Sequence, residues 1–528
     1  MGYRIVIADP LSEAGLEPLR RDPEVEIIDV SHEDDPDALV RALRDADALI
    51  VRSRTKVTRD LLDLAPRLKV VGRAGVGVDN IDVDAATERG VLVLNAPNGN
   101  TIAAAEHAFA LLLALARRIP EAHASVKAGR WERQRFIGFE LMGKTLGVVG
   151  LGRIGSEVAK RARAFGMEVL GYDPYLPESR ARSLGIEPVS LEELFRRADI
   201  ITLHTPLTEE TRNLIRRETL ALMKDGVILV NAARGGLIDE DALVEAVRSG
   251  KVAGVALDVF AEEPPKNAEL LALERAVFTP HLGASTVEAQ ENVARDTSIA
   301  ILEALRDRPV RTAVNLPEAP SPEAAELLRL GERLGTFAMD VLDGPPVAVD
   351  VTFHGEISEA EREFLVRAVL KGVLARQLDV RVNLVNARTL ARQRGLEVQE
   401  TWTSTSTGFP FLVQVRLRGE RGSAVQVSGT IVEGLGPRIV EVEGFPVDVP
   451  PEGTIVFAHH VDRPGVIGRV GMIFGEKGIN IATMIVGRRE IGGEAVMLLA
   501  VDHTPDEDTL AKLLDIEALR SVKLVRLG

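Results

Sequence analysis

There is no cysteine among the 528 residues of this chain. Disulfides, thiolate metal sites and a cysteine nucleophile are therefore excluded. Long apolar runs are missing too. A bilayer span needs roughly 20 apolar residues, and the run at 111–115 is far shorter and sits in a helical pattern with polar positions. The opening MGYRIVIADP meets an acid at Asp9, without the charged-then-apolar pattern of a leader, so the expected location is cytoplasmic. Positive charge is in deficit, with 64 Lys and Arg against 79 Asp and Glu and a net charge of −15. That balance argues against nucleic acid or an anionic membrane as the main partner.

What is present is apolar material for real cores, 45% of the chain, at a length that calls for three or four domains. Residues 3–97 alternate short apolar runs (4–8, 25–29, 48–52, 68–71, 91–94) with helical patterns such as 37–44 and 58–64. Alternation of that kind implies a parallel sheet covered by helices, with ligands beyond the carboxyl ends of its strands. The stretches 51–54 and 72–80 fall there and combine arginine with small residues, which suits an anionic substrate. Residues 100–127 read as one long helix carrying His107 and His123, both expected to be structural.

The stretch 145–173 reads as strand, glycine turn, helix, strand and acid. Gly150 allows the tight turn, Gly152 lets a pyrophosphate approach the backbone, and Gly155 lets helix pack on strand. The helix start offers free N–H groups and the positive end of its dipole. Asp173, placed for a ribose diol, repels a 2′-phosphate and so favours NAD.

Strand and helix alternation continues to residue 279, and each noteworthy polar residue follows a strand: Thr205, Arg234, Asp258 and His281. Hydride removal from a carbinol carbon needs a base for the hydroxyl proton, and histidine is suited to that task near neutrality. A carboxylate holds the imidazole tautomer, and an arginine clamps a substrate carboxylate at two points. These roles fall on His281, Glu263 and Arg234. Glu262 adjoins Glu263, but Glu263 stands directly before the proline. His204 ends a strand and is read as lining the cofactor pocket.

The pattern GLGRIG, YDP, HTPLTEETRNLI, NAARGGLIDEDAL, GVALDVFAEEPP and TPHLGAST resembles the D-isomer-specific 2-hydroxyacid dehydrogenases. Essentially the whole chain resembles the long members, which add an intervening allosteric substrate-binding domain and a terminal ACT domain. The resemblance implies a doubly wound, parallel-sheet NAD-binding domain (98–286) inserted in a flavodoxin-like substrate domain (1–97 and 287–316). It further implies an α+β intervening domain (317–450) and a ferredoxin-like βαββαβ ACT domain (451–528). The segments 317–322 and 444–453 read as linkers, and 323–450 holds no recognisable catalytic constellation.

By the same resemblance, Arg234, Glu263 and His281 are catalytic. Cofactor contacts fall on Val76, Gly150, Gly152, Arg153, Ile154, Gly155, Asp173, Thr205, Ala232, Ala233, Arg234, Asp258, His281, Gly283 and Ala284. Arg52, Ser53 and Arg73 meet the substrate phosphate, and Arg135 is placed to reach a neighbouring subunit's site. His460, Asp462 and Asn480 match regulatory contacts in serine-sensing relatives. The implied reaction is NAD-dependent oxidation of 3-phospho-D-glycerate to 3-phosphooxypyruvate, the first step of phosphorylated L-serine synthesis. L-serine is the implied effector and a homotetramer the implied assembly. Glycerate, lactate or 2-oxoglutarate are alternative acids for the same chemistry, and a dinucleotide-sensing scaffold is the non-enzyme alternative.

Overall fold

The computed structural model describes residues 2–33, 35, 37–308, 310–317, 324–405 and 408–527, with Ala324 described by its backbone alone. Four sheets follow one another along the chain. The first contains β1 (Tyr3–Ile7), β2 (Val25–Asp29), β3 (Ala48–Val51), β4 (Val70–Arg73) and β5 (Leu92–Asn95). All its pairs are parallel, in the order β2-β1-β3-β4-β5. The second contains β6 (Thr145–Val149), β7 (Glu168–Tyr172), β8 (Glu187–Pro188), β9 (Ile200–Leu203), β10 (Val227–Asn231), β11 (Val252–Leu257) and β12 (Ala276–Phe278). Its order, β12-β11-β10-β9-β6-β7-β8, is parallel and reverses direction on either side of β6, which creates the crevice where a doubly wound sheet binds ligands. Runs such as ALIV in β3 and VILVN in β10 are buried throughout, as expected of strands covered on both faces.

The helix Val287–Leu305 returns to the first sheet, where Thr297 and Ile301 close over Gly72 and leave no room there for a Cβ. Beyond it, Val314 donates its N–H to Val93 at 2.8 Å, stitching the returning chain to β5.

The reading of 100–127 as one helix is corrected. Two helices form, Thr101–Ala116 and Ile119–Lys127, separated at Arg118, whose φ is 51°. Pro120 explains the break, because its ring lacks an N–H and clashes with the carbonyl four residues back. That carbonyl, on Ala116, instead accepts the N–H of Phe139 at 3.0 Å.

The third sheet contains β13 (Pro346–Gly355), β14 (Glu397–Thr403), β15 (Phe411–Gly419), β16 (Ala424–Val432), β17 (Gly436–Val442) and β18 (Phe445–Val449). The linker reading of 444–453 is also corrected. Residues 445–449 alternate buried and exposed, and β18 pairs with β17. The prolines at 446 and 450 suggested a loop, but Pro450 falls just beyond the strand, and an edge strand tolerates Pro446 because one of its two edges needs no donors. The other expected linker, 317–322, lies almost wholly outside the described residues.

The fourth sheet contains β19 (Gly453–Val461), β20 (Ile481–Arg488), β21 (Glu494–Val501) and β22 (Leu519–Leu527), antiparallel in the order β20-β21-β19-β22. It shares one core with the third sheet. Phe457 meets Phe337 edge-on with ring centroids 5.8 Å apart, and Val525 and Leu527 join the same cluster.

Candidate active site

The glycine turn has the geometry that its residues imply. Gly150 adopts φ 92°, and a Cβ there would stand 2.6 Å from the His204 carbonyl oxygen. A Cβ on Gly155 would stand 1.9 Å from the Gly150 carbonyl oxygen, so helix and strand touch at this point. Gly152, by contrast, has nothing within 4 Å of its would-be Cβ and caps the helix Arg153–Ala164. Open space at a helix start, floored by backbone alone, fits a pyrophosphate. Arg153 is exposed at this start and Ile154 half-buried behind it. Asp173 Oδ2 accepts the Leu151 N–H at 2.8 Å and Oδ1 that of Tyr175 at 2.9 Å, which fixes the carboxylate beside the turn.

Further along the crevice, the Thr205 hydroxyl is buried and has no hydrogen-bond partner, an orphan that suits a polar ligand group. Asn231 shapes the next turn, donating to the Arg234 carbonyl at 2.8 Å and accepting from the Ala233 N–H at 3.0 Å. Ala232 and Ala233 are half-buried along that turn. His204 bonds the Thr202 hydroxyl at 2.9 Å, and burial pushes its imidazole down to about 4, so it is neutral at pH 7. These features fit a dinucleotide.

An imidazole–carboxylate pair stands at the end of this sheet. His281 Nδ1 lies 2.8 Å from Glu263 Oε2, while Glu263 Oε1 accepts the Phe260 N–H at 3.2 Å. Gly235 packs so closely on Phe260 that a Cβ would stand 1.9 Å from its carbonyl oxygen. Arg234, Phe260, Glu263 and His281 are thus linked through one continuous set of contacts. Beneath them Asp258 is fully buried, and it accepts the N–H of Leu282 at 2.7 Å and of Gly283 at 2.8 Å. Burial pushes its carboxyl up, but bonds from His107, Thr279 and Leu282 outweigh that and hold it below the usual carboxylate value. Ala284 follows on the same loop, half-buried.

The first sheet contributes cations. Arg73 Nη2 donates to the Ser53 hydroxyl at 3.2 Å, and Arg52 anchors its backbone N–H on the buried Asp9 carboxylate at 2.6 Å. Asn80 ties the two loops together by donating to the carbonyls of Arg52 and Thr55, each at 2.7 Å. Val76 gives its carbonyl to Asn95 at 2.7 Å. Burial lowers the Arg73 guanidinium to about 10, and the neighbouring charges of Arg234 and Arg52 push the same way. Three guanidiniums thus crowd one end of the cleft, an arrangement that welcomes an anion. Arg135 lies elsewhere, on an exposed turn against Glu132 and the Phe136 ring.

In the fourth sheet, His460 is buried, with Nε2 unpartnered. Asp462 accepts from Arg488 at 2.8 Å, and Asn480 donates to Asp502 at 2.8 Å. Within one chain the three do not converge. His460 sits opposite Ala495 and Ile481 opposite Val501, at the two ends of β21, about 20 Å apart at the rise of a strand.

The sequence shows Asp9 only as the acid after the first apolar run and Asp79 and Asn80 only as part of the 72–80 stretch, and it assigns no role to them or to Asn231, although Asp79 bonds Arg234. The signal for Asp9 is an acid directly after an apolar strand. The partners of Asp79 and Asn80 are distant in sequence, so spacing gives no sign of them.

A fold of this kind with an imidazole–carboxylate pair beside a cation cluster defines a nicotinamide-linked 2-hydroxyacid dehydrogenase. The model of the D-isomer specific 2-hydroxyacid dehydrogenase NAD binding domain matches residues 109–283. Models of the D-3-phosphoglycerate dehydrogenase intervening domain and of the ACT domain match 324–443 and 454–518. D-3-phosphoglycerate dehydrogenase of Bacillus subtilis is 46% identical over 99% of this chain and 100% of its own length. That of Methanocaldococcus jannaschii is 47% identical with the same coverage. The chain belongs to the D-3-phosphoglycerate dehydrogenase family. Among solved structures, the TT0316 protein of Thermus thermophilus is 40% identical with a TM-score of 0.53, over 59% of this chain and 99% of that one. D-lactate dehydrogenase of Aquifex aeolicus, complexed with NAD and lactic acid, is 32% identical with a TM-score of 0.51, over 58% of this chain and 96% of that one.

Proposed function

We propose that this chain oxidises 3-phospho-D-glycerate to 3-phosphooxypyruvate with NAD, opening the phosphorylated route to L-serine. The observation that carries the reading is the His281–Glu263 pair, 2.8 Å apart, on the same cleft as Arg52, Arg73 and Arg234. Arg234 holds the substrate carboxylate and polarises the adjacent oxygen. Arg52, Ser53 and Arg73 hold the phosphate. Glu263 keeps the proton of His281 on Nδ1, which leaves the Nε2 lone pair to take the C2 hydroxyl proton as hydride leaves C2. NAD, when bound, supplies the acceptor for that hydride. In the reverse direction His281 returns the proton to the carbonyl oxygen.

Gly150, Gly152, Gly155 and Asp173 bind the cofactor's pyrophosphate and ribose in this reading, with Thr205 and the loops at 232–234 and 281–284 alongside. The substrate domain is taken as 1–97 with 287–316, the NAD domain as 98–286, the intervening domain as 317–450 and the ACT domain as 451–528. The assembly is a cytoplasmic homotetramer. Trp131, Ile137 and Met142, exposed by 79%, 77% and 75%, support contact between copies beside Arg135. L-serine is the effector, bound between His460 and Asp462 of one copy and Asn480 of a second. The test follows NADH absorbance with a panel of 2-oxo acids. Clear preference for 3-phosphooxypyruvate over pyruvate and glyoxylate is expected, and equal rates would overturn the phosphate assignment.

A further inference from the structure

We propose that Asp79 is the positioning residue of the arginine clamp, so that closing the cleft and aiming Arg234 are a single event. The proposal rests on Arg234 binding the substrate carboxylate, as argued above. Arg234 Nε donates to Asp79 Oδ2 at 3.0 Å, across 155 positions of sequence. Arg234 belongs to the loop after β10, in the second sheet, whereas Asp79 belongs to the loop after β4, in the first. Among the described residues, no other side-chain hydrogen bond joins residues 1–97 to 98–286. The second fixed point is local, with Nη1 donating to the Ala233 carbonyl at 2.7 Å. Gly77 closes the remaining side, because a Cβ there would stand 1.8 Å from Nη2. The guanidinium is therefore pinned at two of its nitrogens and laid along the Gly77 backbone, with its other N–H groups available to a ligand.

Asp79 is itself well anchored. Its neighbour Asn80 bonds the Arg52 and Thr55 carbonyls, and Asn95 bonds the Val76 carbonyl, each at 2.7 Å. The loop carrying Asp79, which follows Arg73 at the end of β4, is thus held to the loop that presents Arg52 and to the end of β5. A carboxylate here also offsets repulsion among three neighbouring guanidiniums before an anionic substrate arrives. Opening the cleft by even a few ångströms breaks the 3.0 Å bond and releases Arg234 from its aim. The clamp is consequently assembled only when both lobes have approached.

The test uses the full-length enzyme with whichever 2-oxo acid the wild type prefers, so a failure of the phosphate assignment changes the substrate and leaves this comparison intact. Asp79→Ala should lower kcat/KM about tenfold or more, as expected for loss of a charged hydrogen bond at the reacting end. Asp79→Asn, which keeps an oxygen acceptor for Nε, should recover part of the loss. NADH affinity, read by fluorescence titration, should stay within twofold. In an Arg234→Ala background, Asp79→Ala should add little, since two residues acting through one interaction are not additive. If Asp79→Ala does not fold, Asp79→Asn with and without Arg234→Ala makes the same comparison. A change within twofold, full additivity with Arg234→Ala, or a parallel loss of NADH affinity overturns the proposal.

Discussion

His107 Nε2 lies 3.1 Å from the buried carboxylate of Asp258, which joins the helix preceding the glycine turn to the loop carrying His281. The same nitrogen lies 3.1 Å from the Thr279 hydroxyl, which in turn donates to Asp258 at 2.6 Å. His281 leaves this loop with φ 55°, a left-handed conformation unusual for a residue with a side chain. The hydrogen bonds on Asp258 oblige the chain to make that turn. Replacing His107 by Ala removes one donor from a buried charge, an expected cost of about 1–3 kcal/mol. We expect the melting temperature to fall by several degrees and kcat to fall with it, through a displaced His281. Calorimetry with steady-state kinetics checks both. Unchanged kcat would separate His107 from the catalytic loop.

Asp258 also gives a pH signature. Its carboxyl is held below the ordinary value in the folded protein. A group with a depressed folded pKa contributes stability above its unfolded value, about 3.9, and loses that contribution as pH falls through the folded value. Asp258→Asn should therefore be less stable than wild type at neutral pH. The gap should narrow as acid is added below about pH 4, the usual aspartate value. Denaturant midpoints measured across that range decide it, and a gap that is independent of pH would remove the carboxylate charge from the account.

The glycine turn was legible because each glycine answers a local requirement. Its spacing, the strand before it and the acid after it all lie within 29 residues, 145–173. Local geometry even separates two glycines by what they do. Gly155→Ala places a Cβ 1.9 Å from the Gly150 oxygen and should unfold or severely destabilise the second sheet. Gly152→Ala meets nothing within 4 Å and should keep the wild-type melting temperature. Gly152→Ala should nevertheless bind NADH about tenfold more weakly or worse, since its methyl occupies the approach of the pyrophosphate. Thermal melts and NADH titration of the two variants make the comparison, and intact NADH binding in Gly152→Ala would move the pyrophosphate elsewhere.

What was not legible is long-range. Asp79 stands six residues beyond the end of β4, yet its meaning lies in Arg234, 155 positions away. His107 looked structural, and its bonds agree with that, but its partners Asp258 and Thr279 lie 151 and 172 positions on. The break at Arg118 carried its own signal in Pro120, which the strong apolar pattern before it outweighed. In the third sheet, the alternation VAVDVTF at 347–353 has the two-residue period of a strand, masked by the Gly-Pro-Pro directly before it.

The cation cluster makes a distinction between substrates. Arg52 and Arg73 come from the first sheet, whereas Arg234, the proposed carboxylate clamp, comes from the second. Arg73→Gln should raise KM for 3-phosphooxypyruvate by tenfold or more, the worth of about 1.5–3 kcal/mol in a charged hydrogen bond. For pyruvate, which has no phosphate, the change should be much smaller. Arg73 also titrates within reach. Its guanidinium, pushed down to about 10 by burial and by Arg234 and Arg52, loses charge as pH rises past that value. KM for the phosphorylated acid should therefore climb above about pH 10 in wild type, while NADH affinity, measured alongside, reports whether the fold persists. An equal rise in KM for both acids in Arg73→Gln would assign the arginine to the shared carboxylate instead of the phosphate.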